Sequence, residues 1–445
     1  MPGNGARVKR GLVAGLLCCA GGLSGIAAAA DFIAGPNDYR NFLPRLTAGD
    51  RLLLRAGDYQ RGLPLRGLSG EPGRPIVIAG PAKGPRARFI ARDDANSISL
   101  VDVRHIHIQH LELDGGGKSV DAVKAEGHAA YAHFVTLENL YIHDHAASQQ
   151  NVGISTKCPA FGWVVRGNRI ERVGTGMYFG DSDGSDPFVA GLIENNRISD
   201  TLGYNLQIKH QTARPADLPE AKMQHDTIIR HNLFSKADAG PPGPMARPNV
   251  LIGHPPGQGQ GVDDRVLVYA NLFWQNASES LFQGEGNLEI HSNIFVNANG
   301  SAIRIQPHNG SPRCVSVLNN TVLAQDQGVY LRNQETGRAC EQRVECNLIF
   351  AGRPLAGEAA GQNFVAASDQ VARYLVRPSG ELMDFDATPR LPVRLEHCTS
   401  GLKDYFGAPH GAVMGAVAGA NSGPAYGRWL DMDRDMDMDT DRHGK

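Results

Sequence analysis

The 445-residue chain has little of what builds a helical globule or a charged interface. Aromatic residues are 7% of it and charged residues 20%, with only three tryptophans. The formal net charge is -2. That excludes a basic surface over the whole chain and argues against duplex nucleic acid as a partner. Hydrophobic residues, at 41%, are slightly sparse for a compact globule but too many for a disordered chain. Beyond the first thirty residues no apolar run approaches the ~20 residues that cross a bilayer. There are seven cysteines, and their spacing fits no zinc site. What is abundant is glycine, with 53 residues, together with asparagine, valine and isoleucine. That mixture favours many short strands and tight turns.

The N-terminus reads as an export signal. Arg7, Lys9 and Arg10 precede an apolar run from Leu12 to Ala20, and small residues lead to Ala27–Ala30 before Asp31. The run is too short and too glycine-rich for a membrane anchor. Cys18 and Cys19 suggest a lipoprotein signal, but Leu17 stands where a small residue is needed. The expected division is a signal peptide over 1–30, cleaved near Ala30, one domain over 31–425 and an acidic, self-repelling, disordered tail over 426–445. Such a protein is secreted or periplasmic, does not span a membrane and is expected to be a monomer. Removing the signal leaves Cys158, Cys314, Cys340, Cys346 and Cys398. Disulfides are permitted in that compartment, and an odd count leaves at least one free thiol.

A repeat sets the fold. A short strand opens at His110, Asn139, Asn168, Asn196, Asn232, Asn271, Asn293, Asn320 and Asn347, at intervals of 29, 29, 28, 36, 39, 22, 27 and 27 residues. A second strand follows most of these, as at Leu206–Ile208, Ile303–Ile305 and Val329–Leu331, with inward apolar and outward polar residues alternating. A third precedes each, as at Val135, Val164, Thr227, Leu267, Leu288 and Val315. Three short strands per 22 to 29 residues without helical periodicity describe one coil of a parallel β-solenoid, all-β, whose coils stack at ~4.8 Å. The asparagines are expected to form an inward ladder at a tight, left-handed bend. Asp38–Leu46 is expected as a short amphipathic helix plugging the N-terminal end, and residues 355–425 as a closing segment. Cys314 and Cys340 fall in successive coils at similar register, which suits a disulfide.

The chain resembles secreted, right-handed parallel β-helix proteins of the pectate lyase-like and chondroitinase B-like kind. The opening Gly49–Tyr59 with Pro75–Ile78 is similar to the first coil of chondroitinase B-like and alginate lyase-like polysaccharide lyases. Asp404–Gly407, Gly411 and Gly415–Ala416 are similar to a closing motif of bacterial β-helix proteins. The same solenoid carries lyases, hydrolases, epimerases and adhesins, so fold alone leaves function open.

Long coils mark where chemistry sits. The extra residues fall at about 210–226 and 236–263, and two such inserts would wall one groove. Beneath them Gln207, Lys209, Arg304, Gln306, Tyr330 and Arg332 point outward with Tyr178 two coils back, a face of amides, cations and rings suited to an acidic sugar chain. Lys209 and His210 end a strand where the first insert begins. Elimination from a uronate needs a base for a weakly acidic C–H and a cation near the carboxylate. The resemblance implies the base role for Lys209. Where that family has Arg-His-Gly one coil later, this chain has Gly253, His254 and Pro255, and Asn205 and Gln207 stand where acidic calcium ligands are expected. Asp181, Asp183 and Asp186 form an Asp/Gly loop one coil before Lys209, which is either a calcium site or a plain Asx-rich turn. They, or Asp263 and Asp264, could instead supply the carboxylate pair of a glycoside hydrolase. His105, His107, His110, His143 and His145 read as face decoration. The leading expectation is a polysaccharide lyase acting on an acidic glycan. A hydrolase, a C5-epimerase and a non-catalytic glycan binder remain as alternatives.

Overall fold

In the computed structural model the described residues are 29–417, apart from 239–242, 333–339, 341, 360, 380–383, 392–397, 399–400 and 410–413. The expected export signal, but for Ala29 and Ala30, the expected acidic tail and Gly411 therefore lie outside the described residues. The chain winds as a parallel β-helix. One long sheet stacks the first strand of each coil, from Asp31–Ala34 through Ala132–Glu138 and Asp226–Arg230 to Arg343–Glu345. A second sheet carries two further rows. One runs through Tyr141–His143, Leu233–Lys236 and Ile294–Asn297; the other through Val152–Thr156, Thr175–Phe179, Leu206–Ile208, Val250–Ile252, Phe282–Gly284 and Ile303–Ile305. Alternation makes this possible. Met177, Phe179, Leu206, Ile208, Val250 and Ile252 are all buried in one continuous core. The residues between them, Tyr178, Gln207 and Leu251, are left for the outer face.

The ladder is present and shifted. Each side-chain Nδ2 donates to the next Oδ1 in the series Asn168, Asn196, Asn232, Asn271, Asn293, Asn320, Asn347 and Asn363, at 2.8 to 3.0 Å. Asn363 adds a rung 16 residues after Asn347 that the spacing did not show. Asn139 and His110 are not rungs. They take left-handed backbone, φ 53° and 57°, and Leu140 and Leu111 after them point inward. The same left-handed residue precedes the later rungs at Asn195, His231, Ala270, Ser292, Asn319 and Cys346. Asparagine suits both positions, one for its backbone tolerance and one for its amide, so the sequence merged them.

Both ends depart from expectation in detail. Asp38–Leu46 forms two 3-10 turns, Tyr39–Asn41 and Leu43–Arg45, not an α-helix. Pro44 has no N–H to offer and keeps the segment from propagating as a helix. Tyr39 nevertheless packs edge-on to Tyr59 at 5.1 Å between ring centroids. At the other end the chain runs back along the outside. Tyr405, Met414 and Ala416 pack with Leu233, Leu272, Ile294 and Leu348, the outward residues of the middle strand row. Cys346–Cys398 pins this segment, and Cys314–Cys340 joins successive coils as expected. Cys158 is the free thiol, buried, its pKa pushed up to about 12 by desolvation.

Candidate functional site

Outward residues of the third row line up across the coils. Lys124, Ser155, Tyr178, Gln207, Leu251, Gln283, Arg304 and Tyr330 are successive register partners. Tyr178 thus stands one coil from Gln207 and not two. The residues two positions on make a parallel row containing Lys157, Gly180, Lys209, Gly253, Glu285, Gln306 and Arg332, because the backbone N–H of each reaches back to the preceding coil.

Over the first half of these rows lies a groove of about 660 Å³, a common size for a small-ligand site. Tyr178, Gln207 and Lys209 line it, as do Lys124, Lys157, Tyr204, Arg247 and His308, which sequence reasoning had not singled out. Arg304, Gln306, Tyr330 and Arg332 do not line it. They stand further along the solenoid, where the Arg304 guanidinium lies over the Tyr330 ring at 5.4 Å.

One insert borders the groove, through Arg247. Residues 243–249 rise beside the strand starts, where Arg247 lies over Tyr204 at 6.0 Å and the Met245 carbonyl accepts the Gln149 side-chain N–H at 2.8 Å. Lys236 secures this side. Only 2% exposed, it donates from Nζ to the carbonyls of Gly203 (2.8 Å) and Arg247 (3.1 Å). Across the strand ends, residues 209–225 and 253–264 pack on each other through the buried Arg214–Asp264 ion pair, while Asp264 also accepts the His225 N–H. Asp264 is thereby committed to structure.

Burial pushes the Lys236 pKa down to about 8. Between that value and the ordinary lysine value of ~10.4 the unfolded chain binds a proton that the folded chain does not, so this residue's contribution to stability rises with pH across that window. Denaturant unfolding of the wild type and of Lys236→Met from about pH 7 to 10 should show the rise in the wild type alone; parallel curves would refute the assignment.

Gln207 forms the groove floor. It is 5% exposed, and its amide has no partner among the described residues. Lys209 is half-buried, and its ammonium makes no ion pair or hydrogen bond among the described residues. Desolvation lowers its pKa, against the pull of Glu285 and Asp181. The His210 and His254 rings stand 5.4 Å apart, centroid to centroid. The His210 pKa is lowered by burial, then by the charges of Lys209 and His254. His254 donates from Nδ1 to the Pro255 carbonyl at 2.7 Å, and its ring lies against Gly310. The turn carrying Gly310 is fixed by the buried carboxylate of Glu285, which accepts the N–H groups of His308, Asn309 and Gly310 at 2.7 to 3.2 Å. The same turn delivers His308 to the groove.

Asp181, Asp183 and Asp186 do not gather their oxygens on one point. Asp181 faces the Lys157 ammonium at 3.6 Å and accepts the Ser182 N–H. Asp183 accepts the Ser185 N–H and hydroxyl. The Asp186 pKa is raised by desolvation and by its two acidic neighbours. As placed, this loop is an Asx-type turn and does not fit a calcium ion. Among the described residues, the acidic group that could converge on a cation is Asp114, His143 and Asp144, with atoms within 4.8 Å. It lies on the middle strand row and already holds Arg172 at 2.7 Å. His107 pairs with Glu138, and His145 donates from Nδ1 to the Val120 carbonyl at 3.0 Å, so these histidines are bound up in the coils.

No protein-family profile matches the chain, and no curated protein does. Solved structures do. A PL6 family alginate lyase matches at 13% identity and TM-score 0.45, over 76% of this chain and 51% of that one. The catalytic unit of a GH87 α-1,3-glucanase from Streptomyces thermodiastaticus matches at 14% and 0.45, over 74% and 67%. A xylose complex of XylC matches at 11% and 0.47, over 85% and 94%. This chain spans about half the length of the alginate lyase. At such low identity the activity has to be read from this chain's own residues.

Proposed function

We propose that this is an exported enzyme that cleaves an acidic, uronate-containing polysaccharide by β-elimination in the groove over Gln207, with Lys209 as the base. One observation carries the reading: an unpaired, partly desolvated lysine stands at the edge of a polar groove that also holds Lys124, Lys157 and Arg247. In the reaction Lys209 takes the proton beside the uronate carboxylate. That C–H electron pair becomes the new double bond, the glycosidic C–O bond breaks, and the leaving oxygen recovers a proton from the Lys209 ammonium or from solvent. Burial suits the lysine to this, since only the neutral amine is a base and desolvation favours it. Two disulfides accord with export into an oxidising compartment. Among the described residues no helix is long and apolar enough to cross a membrane.

The test is a panel of alginate, polygalacturonate, chondroitin sulfate and hyaluronate, followed by ultraviolet absorbance of the conjugated product, with and without chelator. Absorbance that grows with time supports elimination. New reducing ends without it support hydrolysis, and retention without either supports a binder. Because Lys209 must lose its proton, kcat/KM should rise with pH through a pKa below the ~10.4 of free lysine. A rate that falls over that range would remove Lys209 as the base.

A further inference from the structure

Resting on the elimination reading, we infer that Lys157 holds the substrate carboxylate while Lys209 takes the proton, so that one acidic sugar sits across the coil between them. The need comes from charge. Lys209 can act as base only when neutral, and a neutral amine cannot offset the negative charge that develops on the uronate carboxylate as the proton leaves. A separate fixed cation must do so.

Lys157 has the right place. It follows Val152–Thr156 as Lys209 follows Leu206–Ile208, and the register Ser155, Tyr178, Gln207 sets the two lysines on the same edge, two coils apart. At ~4.8 Å per coil that is roughly 10 Å between their backbones, which two long side chains can close upon one sugar ring. The position between them is Gly180, with φ 90°, where the chain presents no side chain. An added Cβ there would stand 3.2 Å from both the Lys209 Cβ and the Asp186 carbonyl. Larger residues would fill the notch.

Lys157 is held in place as the cation: burial lowers its pKa, as it does for Lys209, but the Asp181 carboxylate paired with it opposes that. Its Nζ lies 3.7 Å from the Tyr178 ring centroid and 3.6 Å from Asp181, and its side chain is 22% exposed. One face of the Tyr178 ring is thereby covered by the ammonium, and the ring supports the cation. The other groove cations are placed less well. Lys124 stands three coils from Gln207 and faces Asp121 at 3.5 Å, and Arg247 lies on the opposite edge over Tyr204. No bond is made or broken at Lys157.

The experiment compares wild type, Lys157→Met and Lys157→Arg on the most active polymer of the panel and on its methyl ester. An ester starts uncharged and builds one negative charge where the carboxylate builds two, so it depends far less on the cation. The methionine variant should lose roughly a hundredfold in kcat/KM on the free acid. On the ester it should keep its rate within a few-fold, and arginine should restore much of the free-acid rate. Equal losses on both polymers, or no loss on the free acid, would overturn the assignment. If the wild type eliminates nothing, the reading of the reaction fails separately, and the site is judged by binding of oligomers from the same panel. Lys157→Met should then weaken that binding and flatten its salt dependence. Unchanged binding, or no binding by the wild type, would remove the site.

Discussion

Lys209→Met should lower kcat/KM on the preferred polymer by roughly a thousandfold while leaving the melting temperature unchanged, the scale expected for losing a general base. Methionine keeps the aliphatic stem that lies against Gly180, and the ammonium it deletes has no partner among the described residues to strand. Loss of activity would therefore report chemistry and not folding. Lys209→Arg sharpens the comparison. A guanidinium keeps the positive charge but is never neutral in a protein, so it can attract the substrate without taking a proton. It should retain binding and be as inactive as methionine. Steady-state kinetics and calorimetric titration with the same oligomers separate the two effects. Substantial turnover by either variant would mean that the proton goes elsewhere, with His210 and His254 the next groups to examine.

Asn271→Leu should destabilise the fold by about 4 kcal/mol or more, because it strands several buried groups at once, each worth ~1–3 kcal/mol. Asn271 is fully buried. Its Oδ1 accepts both the backbone N–H and the side-chain Nδ2 of Asn232, each at 2.9 Å. Its Nδ2 donates to the Ile229 carbonyl at 2.8 Å and to Asn293 Oδ1 at 3.0 Å. Leucine fills the volume and satisfies none of these. The loss should exceed that of an ordinary surface change by far. Asn139→Gly is the contrast. Asn139 occupies the left-handed bend and not the ladder, and glycine adopts that backbone freely, so the change should stay well under ~1 kcal/mol. Equal effects at the two positions in denaturant titrations would show that the ladder carries no special weight.

That pair of asparagines shows where reading the sequence stops. Spacing and residue type located the bend in the coils from His110 to Asn347, yet could not separate the residue that turns from the residue that points inward one position later. The backbone conformation distinguishes them: the earlier rungs at Leu111 and Leu140 carry no amide at all. The row of Tyr178, Gln207, Arg304 and Tyr330 was legible because strand alternation fixes which side chains leave the core, whatever the loops do. Membership of the groove was not. Lys157, Tyr204, Arg247 and His308 come from four different coils or inserts, and nothing local in the sequence marks them. The Asp181–Asp186 loop was chemically suggestive, but its oxygens are already spent on Lys157, Ser182 and Ser185.

The sequence alone determined the parallel β-helix and the inward and outward faces of its strands, and it placed Cys314 and Cys340 at similar register in successive coils, where they pair. These follow from period-two alternation and a recurring bend motif, which are local properties. Only the tertiary structure decided which outward residues share a groove, that Tyr405, Met414 and Ala416 pack along the flank, and that Lys157 and Lys209 stand on either side of Gly180. Those depend on how inserts of unequal length settle across coils far apart in the chain, and no local pattern encodes a distance between them.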